Sequence, residues 1–521
     1  MPSRTGRVLA LSAMVPALLL STGGVALAAT NTLTLTALNR SGAKATISAT
    51  VVNVDTSAQY TAKTGKAKKL PKGTYAVLSQ IATGGTTTLA GTAVKVSGST
   101  KLTVDARKGK RVSLALSPAA TTGLFSQISV RICSLTGASY NIDAGGDQVY
   151  VVPTTSKKVG FAALGSWTDL SGTTDAYAVL NQTTGVPASP TRTFARSGLA
   201  HVTVASRRGP SGSNFSDVAV QPVAKGCGQD LFAELVSSEV PTTSKIHLSP
   251  TSWDIRSDEF ATVTKTGESW DIGGYMTTRT VAAGKSYALR FYGAAWGPGS
   301  LLPSMSNGYL SYNLNDGFED PDYPGRGSSV EGGDKATATL KFGGKTVKTK
   351  KDTGWMPEMT YLSYKVKKAG WYTLTNASTR YYPEIKYPAG MLSTASTATY
   401  RFNVKPKATV IAPVYALQMI PADLNYYNKA KPSSTTKVTL KLTRKSWSDI
   451  KAGKNPTVKS VTATMSTDGK TWKSVPVKKI NGAWTAVVPN PAAGAVSLRA
   501  RATTTTGAYT EVTIYRAYGI V

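Results

Sequence analysis

Apolar and polar positions alternate along this chain in short stretches that turn residues separate. At the start of the stretch 70–112, Pro71 and Gly73 punctuate the sequence, because proline fixes φ and glycine permits a turn. Side chains of a strand alternate between its two sides. One face of the strand that follows is therefore predicted to carry Tyr75, Val77, Ser79 and Ile81.

The same period of two is present upstream of this stretch. Leu33, Leu35 and Ala37 alternate with threonines, and 47–54 is rich in β-branched residues, which favour strands. Six or seven strands, spaced by turns over about ninety residues, are typical of one small β-sandwich. The pattern predicts that sandwich over 30–118.

Residues 251–407 are rich in tyrosine, tryptophan and glycine and carry few helix signals. Short runs with strand composition recur there, and they predict a jelly-roll-like β-sandwich. The predicted strands are 286–292, 309–314, 336–341, 359–366, 371–374 and 397–404.

The segment 408–521 has the clearest pattern and predicts an Ig-like β-sandwich. Its apolar residues Val438, Leu440 and Leu442 alternate with polar ones, so one face of this strand is expected inward and the other outward.

Two dipeptides in the same segment, Asp468-Gly469 and Asn481-Gly482, are typical of tight hairpins. Trp472 and Trp484 lie beside these dipeptides in the sequence, and we expect both rings to pack in the core.

Four passages resemble one family. They are LPKGTY with the following VKVSGSTKLTVDARKGKRV, VAAGKSYALRFYGAAWGP at 281–298, MSTDGKTWKSVPVKKINGAWTAVVP, and VSLRARATTTTGAYTEVTIYRAYGIV. In this order they resemble the non-catalytic accessory region of large secreted subtilisin-like serine peptidases of actinobacteria. The resemblance covers most of 30–521. It implies a prealbumin-like (carboxypeptidase-regulatory-like) sandwich first and an Ig-like module last.

The catalytic residues of those peptidases are not found in this sequence. A serine nucleophile needs a histidine base and an aspartate that orients it. The sequence has one D-T-G, beginning at Asp352, but no G-T-S-M, and neither His201 nor His247 is followed by Gly-Thr. We expect a turn at 352–354, structural histidines and no enzymatic activity. A hydrolase with an unrecognised site is the alternative.

The first 29 residues have the pattern of a signal peptide. Arg4 and Arg7 precede the apolar run 8–20, and small residues follow at 26–28. The run is shorter than the ~20 residues that span a bilayer, and no second run of spanning length follows. We expect a secreted protein that has no membrane span and is associated with the cell wall, if at all, by non-covalent binding.

Two cysteines, Cys133 and Cys227, are present in the whole chain. In an oxidising compartment a pair is expected to form a disulfide, and two buried free thiols are the alternative. A bond would make 119–250 one β domain.

The chain is strongly basic, with 60 Lys and Arg against 28 Asp and Glu and a net charge of +32. Between Lys429 and Lys479 there are thirteen basic residues and two acidic ones. A field of this sign concentrates polyanions and is weakened by salt. Export makes nucleic acid an unphysiological partner, whereas cell-wall polymers are abundant outside Gram-positive cells. The candidate polyanion-binding residues are Lys437, Lys441, Arg444, Lys445, Lys473, Lys478 and Lys479.

The densest cluster of side-chain oxygens lies between positions 313 and 322. Calcium prefers six to eight oxygen ligands, so calcium is a possible cofactor here, although the EF-hand spacing is not met. A solvated acidic loop is the alternative, and no spacing typical of zinc or nucleotide sites is present. The candidate ligands are Asn313, Asn315, Asp316, Glu319, Asp320 and Asp322.

The sequence thus predicts an all-β, secreted, non-catalytic protein of several β-sandwich domains in tandem. We expect it to bind cell-wall polyanions or polysaccharide. The alternative is an accessory partner, adaptor or inhibitor, of a related secreted subtilisin-like peptidase.

Overall fold

The computed structural model describes residues 31–120, 124–136, 140–168, 175–209, 215–262, 266–323, 327–329, 334–354, 360–381, 387, 390–444, 450 and 453–521. The predicted signal peptide and Lys445 lie outside these residues. Within them the chain is all-β: forty strands and two short 3-10 turns, Ala106–Lys108 and Arg196–Gly198, are present, and no α-helix is. No helix among the described residues is long and apolar enough to cross a membrane.

The strands of the first half of the chain form its N-terminal sheets. They are β1 (Thr32–Leu38), β2 (Ser48–Asn53), β3 (Gln59–Lys63), β4 (Ala67–Lys69), β5 (Gly73–Thr83), β6 (Thr86–Val96), β7 (Ser99–Asp105), β8 (Lys110–Arg111), β9 (Ser113–Ser117), β10 (Phe125–Ser134), β11 (Asn141–Gly145), β12 (Val149–Val152), β13 (Val159–Thr168), β14 (Ala176–Thr184), β15 (Thr191–Ala195), β16 (Ala200–Ser206), β17 (Phe215–Pro222), β18 (Ala233–Glu239), β19 (Thr242–Leu248), β20 (Ser252–Thr262), β21 (Ser269–Thr280) and β22 (Ser286–Phe291).

The remaining strands form the C-terminal sheets, apart from β25, which joins an N-terminal one. They are β23 (Ser304–Ser306), β24 (Tyr309–Asn313), β25 (Gly327–Ser329), β26 (Lys335–Phe342), β27 (Lys345–Asp352), β28 (Tyr361–Lys365), β29 (Gly370–Thr379), β30 (Ala395–Val404), β31 (Val410–Ile411), β32 (Ala416–Pro421), β33 (Lys429–Ala430), β34 (Thr435–Thr443), β35 (Val458–Ser466), β36 (Lys473–Val475), β37 (Val477–Ile480), β38 (Ala483–Pro489), β39 (Ala495–Thr504) and β40 (Tyr509–Ile520). The strands predicted between 286 and 404 are confirmed, with ends shifted by one to five residues.

The N-terminal half is a stack of four sheets, together with a small two-stranded sheet, β15-β9. A three-stranded sheet (β4-β1-β7) packs on a six-stranded one (β3-β2-β5-β6-β12-β8), which packs on a seven-stranded one (β11-β10-β13-β14-β19-β16-β22). The fourth sheet is five-stranded (β18-β17-β20-β21-β25). The two inner sheets are buried on both faces.

Strands β5 and β13 show how one strand serves two cores. Tyr75 and Val77 of β5 lie in the core of the first sandwich, as the alternation predicted, while Leu78 lies in the next core. In β13, Phe161 and Leu164 likewise point to different cores. Such strands are apolar at nearly every position because neither face meets water.

Hydrogen bonds cross the domain boundaries that the sequence analysis placed at 118 and 250. Strand β12 pairs with β6 in parallel, and β15 pairs with β9. Strand β20 pairs with β17, and β22 pairs with β16. The first sandwich therefore extends past 118, and the second unit reaches the end of β22. Pairing between strands far apart in sequence leaves no local signal, so the sequence did not predict that sheets are shared across 118 and 250.

The C-terminal half is built on one wide sheet. Nine strands form it in the order β27-β26-β29-β30-β40-β39-β35-β36, with β33 added beside β40. One half of its inner face is covered by β28-β24-β23-β31, the other half by β32-β34-β38-β37. The pairing of β30 with β40 crosses the boundary expected at 407, so the jelly-roll-like and Ig-like units share this sheet.

The predicted disulfide is confirmed. Cys133 at the end of β10 bonds Cys227, with 5.5 Å between their Cα atoms. It joins the seven-stranded sheet to the loop before β18.

Candidate functional site

Three of the predicted basic residues lie on one exposed face of the sheet β32-β34-β38-β37. Lys437 and Lys441 of β34 alternate with buried Val438 and Leu440, so their side chains leave the core. Lys478 of β37 lies on the same outer face, two strands away across β38. These three residues are called the lysine face below.

The register sets the size of the lysine face. Four residues separate Lys437 from Lys441, about 13–14 Å at strand spacing. Thr439 lies midway between Lys437 and Lys441, and Lys478 is level with Thr439 across β38. Two inter-strand distances of about 4.8 Å separate Lys478 from Thr439. The three charges form a triangle with edges of about 12–14 Å, close to the Debye length of ~8–10 Å at moderate salt. Their fields therefore overlap above the sheet.

No internal partner neutralises this face. The four strands contain no acidic residue. Throughout the described residues, every ion pair is made by an arginine or a histidine and none by a lysine. The positive charge of the lysines is therefore presented to solvent.

The other predicted basic residues do not join the lysine face. Lys473 belongs to β36 of the nine-stranded sheet. Lys479 lies over the ring of Trp484, with Nζ 4.9 Å from the ring centroid. Arg444 donates to the carbonyls of Lys454, Ile411 and Ala412, and burial lowers the pKa of its guanidinium. Arg444 ties a connection to the fold and is not a free binding group.

The carboxylates considered for calcium are buried, so the alternative of a solvated acidic loop is wrong. Asp316, Glu319 and Asp320 are 3%, 8% and 0% exposed. Oδ1 of Asp320 accepts from the backbone N–H of Asp322 at 2.9 Å, and its Oδ2 accepts from Gly293 N–H at 3.0 Å. These oxygens serve the protein's own backbone.

Three more of the candidate ligands, Asp322, Asn313 and Asn315, also have partners within the protein. Asp322 pairs with Arg290 through Nε at 3.0 Å. Asn313 Oδ1 accepts from Asn315 N–H at 3.0 Å, and Asn315 Nδ2 donates to Asp352 at 3.0 Å. Among the described residues no group of three or more histidine, cysteine or acidic side chains is placed to hold a metal ion.

Burial changes the acidity of these groups. It raises the pKa of Asp320 to about 8, and repulsion from Asp322 adds to the effect. Burial and the neighbouring Glu319 carboxyl raise the pKa of Asp316 well above its ordinary value. With a pKa of about 8, the Asp320 carboxyl is mostly protonated at neutral pH in the folded protein.

The D-T-G segment forms a turn, as predicted. Asp352 ends β27, and its Oδ1 accepts from Gly354 N–H at 2.9 Å. This local hydrogen bond is the ordinary role of an aspartate at a turn.

The two histidines share one hydrogen-bonded cluster on neighbouring strands. His201 Nδ1 lies 2.8 Å from His247 Nδ1, and His247 Nε2 lies 2.9 Å from a carboxylate oxygen of Asp175. The His247 ring stacks on Tyr177 at 4.7 Å, and burial lowers the pKa of His247. These contacts give the histidines a packing role.

The outcomes for the two hairpin dipeptides differ. Asn481 and Gly482 form the two-residue connection from β37 to β38, both with positive φ. Asp468 instead caps a longer loop between β35 and β36, where its Oδ1 accepts from the backbone N–H of Lys470 and Thr471. Those hydrogen bonds lower the pKa of Asp468.

The outcomes for the two tryptophans also differ from each other. Trp484 packs at the margin of the core. Trp472 was expected inside but lies half-buried on the outer side of the nine-stranded sheet, between Arg499 and Tyr515. The loop that Asp468 caps leads the chain to that outer side.

Comparison with known proteins leaves the family open. No protein-family model matches the chain, and no curated protein is similar to it. Among solved structures, a streptococcal ancillary pilin is 10% identical at a TM-score of 0.12, covering 50% of this chain and 98% of the pilin.

Two structures of Escherichia coli alpha-2-macroglobulin each align with about nine-tenths of this chain. Native alpha-2-macroglobulin is 9% identical at a TM-score of 0.16, covering 91% of this chain and 38% of that one. The form activated by porcine elastase is 9% identical at a TM-score of 0.14, covering 90% of this chain and 49% of that one. TM-scores this low carry no argument about function.

Proposed function

We propose that this protein is a secreted, non-catalytic binding protein that attaches to anionic polymers of the cell wall through the lysine face. The observation that carries the proposal is the set of three exposed lysines, without an acidic residue in the four strands that present them. Lysine acts as a strongly hydrated point charge on a flexible stem, which suits a repeating anionic chain better than one fixed ligand.

The charge of the whole protein supports the proposal. A net charge of +32 attracts polyanions from a distance, and the lysine face supplies a local contact. The confirmed disulfide is compatible with an oxidising compartment. Attachment by charge is expected to weaken as salt screens the field.

The test is co-sedimentation of the purified protein with cell walls that retain or lack teichoic acid, across a salt series. The variant carries Lys437→Gln, Lys441→Gln and Lys478→Gln. At about 1 kcal/mol per lysine near an anionic surface, the three changes together should reduce the affinity for walls with teichoic acid by about a hundredfold. Binding of the unchanged protein should fall with salt and with removal of teichoic acid.

A matched control removes the same charge elsewhere. Lys157, Lys158 and Lys225 are exposed in the N-terminal half, and their triple change to glutamine should reduce binding less than twofold. Equal losses in the two variants would show that net charge and not the lysine face binds. Retention that resists high salt would exclude charge as the cause.

A further inference from the structure

The outer face of the nine-stranded sheet carries two adjoining cavities. One, of about 430 Å³, is lined by Ala395, Asp468, Ser497, Tyr515 and Arg516 among others. The second, of about 340 Å³, lies toward the β27 edge. Both volumes are in the range of ligand pockets, ~300–1,000 Å³.

Strand register joins the two cavities into one groove. Lys335 pairs with Thr379, Thr379 with Ala395, and Ala395 with Tyr515. These four residues form one row across four adjacent strands. The first two line the smaller cavity, and the last two line the larger one. Three inter-strand spacings give the row a length of about 14 Å.

The floor of the groove is low because its residues are small. Ala377, Thr379 and Ala395 occupy the middle, whereas larger side chains stand at its end. There Tyr515 forms a wall that Trp472 holds edge-on, with 6.2 Å between the ring centroids. The guanidinium carbon of Arg499 lies over the Trp472 ring, 4.1 Å from its centroid. The aromatic wall is therefore supported from behind.

The chemistry of the lining suits an uncharged, hydroxyl-bearing chain. Hydroxyls line both cavities, from Thr337, Thr353 and Thr379 on one side and from Thr394, Thr467 and Ser497 on the other. Charges of both signs are present: Lys335, Lys351 and Arg516 with Asp352 and Asp468. A polyanion would meet these carboxylates, whereas saccharide hydroxyls can donate to the exposed carboxylate of Asp468.

Asp468 has the geometry to take part. Its hydrogen bonds from Ser466, Lys470 and Thr471 all end on Oδ1. The carboxylate is held in place by those contacts and by a hydrogen bond from the Thr471 side chain, and its exposed position lets a ligand hydroxyl approach it. Beside it, the flat ring of Tyr515 presents an apolar surface to the C–H face of a sugar.

We propose that this groove binds an extended, uncharged saccharide chain, with Tyr515 as the stacking surface and Asp468 as a hydroxyl acceptor. The inference rests on the proposed function in one respect: it takes the protein to be an extracellular binding protein. Its ligand and surface differ from those of the lysine face.

The test is calorimetric titration of the full chain with chitohexaose, cellohexaose and xylohexaose in 0.5 M NaCl, which suppresses attraction by charge. We expect at least one hexasaccharide to bind. Tyr515→Ala should weaken binding at least tenfold, while Tyr515→Phe, which keeps the ring, should retain it within threefold. Ala395→Arg should block the floor and weaken binding at least tenfold.

Matched controls lie on the same strands and face but outside the groove. Tyr509 of β40 and Thr399 of β30 are six and four residues away. Tyr509→Ala and Thr399→Arg should leave the affinity within twofold. Thermal unfolding of each variant monitors the fold, and Tyr515→Phe still tests the site if Tyr515→Ala unfolds.

The outcomes separate the groove from the lysine face. The triple glutamine variant of the lysine face should bind saccharide like the unchanged protein. Failure of all three saccharides to bind, or equal losses in the control variants, would overturn the groove and leave wall attachment through lysines unaffected.

Discussion

The buried carboxyl of Asp320 makes the folded protein less stable as pH rises. Its pKa is raised to about 8 in the folded state, against about 3.9 for an aspartate in an unfolded chain. Stability from this group is therefore fully present below about pH 4 and is lost as pH rises through 8. Asp316, whose pKa is also raised, acts in the same direction.

The size of the effect follows from proton linkage. Between pH 7 and pH 9 the unfolded carboxylate stays ionised, while the folded one changes from mostly protonated to mostly ionised. With a folded pKa of about 8, the free energy of unfolding should fall by about 1.4 kcal/mol from Asp320 alone. The titration of the His247 imidazole lies below this pH window, because burial lowers its pKa.

The assay is urea unfolding at half-unit steps from pH 7 to pH 9, for the unchanged protein and Asp320→Asn. Asparagine cannot ionise, and its single carbonyl oxygen keeps an acceptor for one of the two backbone N–H groups, of Gly293 and Asp322, that Asp320 serves. The variant should therefore lose about 1.4 kcal/mol less stability over this range. The control Asp423→Asn, at an exposed position, should keep the original slope.

A parallel series with EDTA or CaCl₂ examines the calcium hypothesis. A bound cation would favour the ionised carboxylates, so it would stabilise the protein at high pH in the CaCl₂ series but not in the EDTA series. Identical pH slopes for Asp320→Asn and the unchanged protein would refute the reasoning about burial.

Two further predictions concern the framework of the fold. Replacing Cys133 and Cys227 by alanine should lower the free energy of unfolding by up to ~4.7 kcal/mol, since the bond closes a span of 94 residues. Urea unfolding measures this change, and an unchanged midpoint would contradict the prediction. Asn428→Ala should cost about 3–4 kcal/mol, because the buried amide bonds Arg207, Arg208, Tyr292 and Ala294. Calorimetry against the exposed control Asn403→Ala checks it, and equal melting temperatures would refute it.

Much of the local structure could be predicted from sequence. Strand alternation at 436–442, the hairpin at Asn481-Gly482 and the turn at Asp352 depend on neighbours within a few residues, so local preferences determine them. The disulfide was predictable because the sequence contains two cysteines. The exposure of Lys437 and Lys441 followed from the same alternation.

The sheets themselves were decided by the tertiary structure. Strand β40 pairs with β30, more than one hundred residues away, and β12 joins β6 in parallel. No local period encodes such a partner, because backbone hydrogen bonds are the same for every residue. The merging of two predicted domains into one nine-stranded sheet was therefore not visible in the sequence.

The candidate sites divide in the same way. The lysine face lies on strands that a short stretch of sequence supplies, so counting charges located it, although Arg444, Lys473 and Lys479 do not belong to it. The groove takes Lys335, Thr379, Ala395 and Tyr515 from four strands spread over 180 residues. Sequence alone determined the strand faces and the excess of positive charge. Only tertiary pairing, which sets register between distant strands, placed those four side chains in one row.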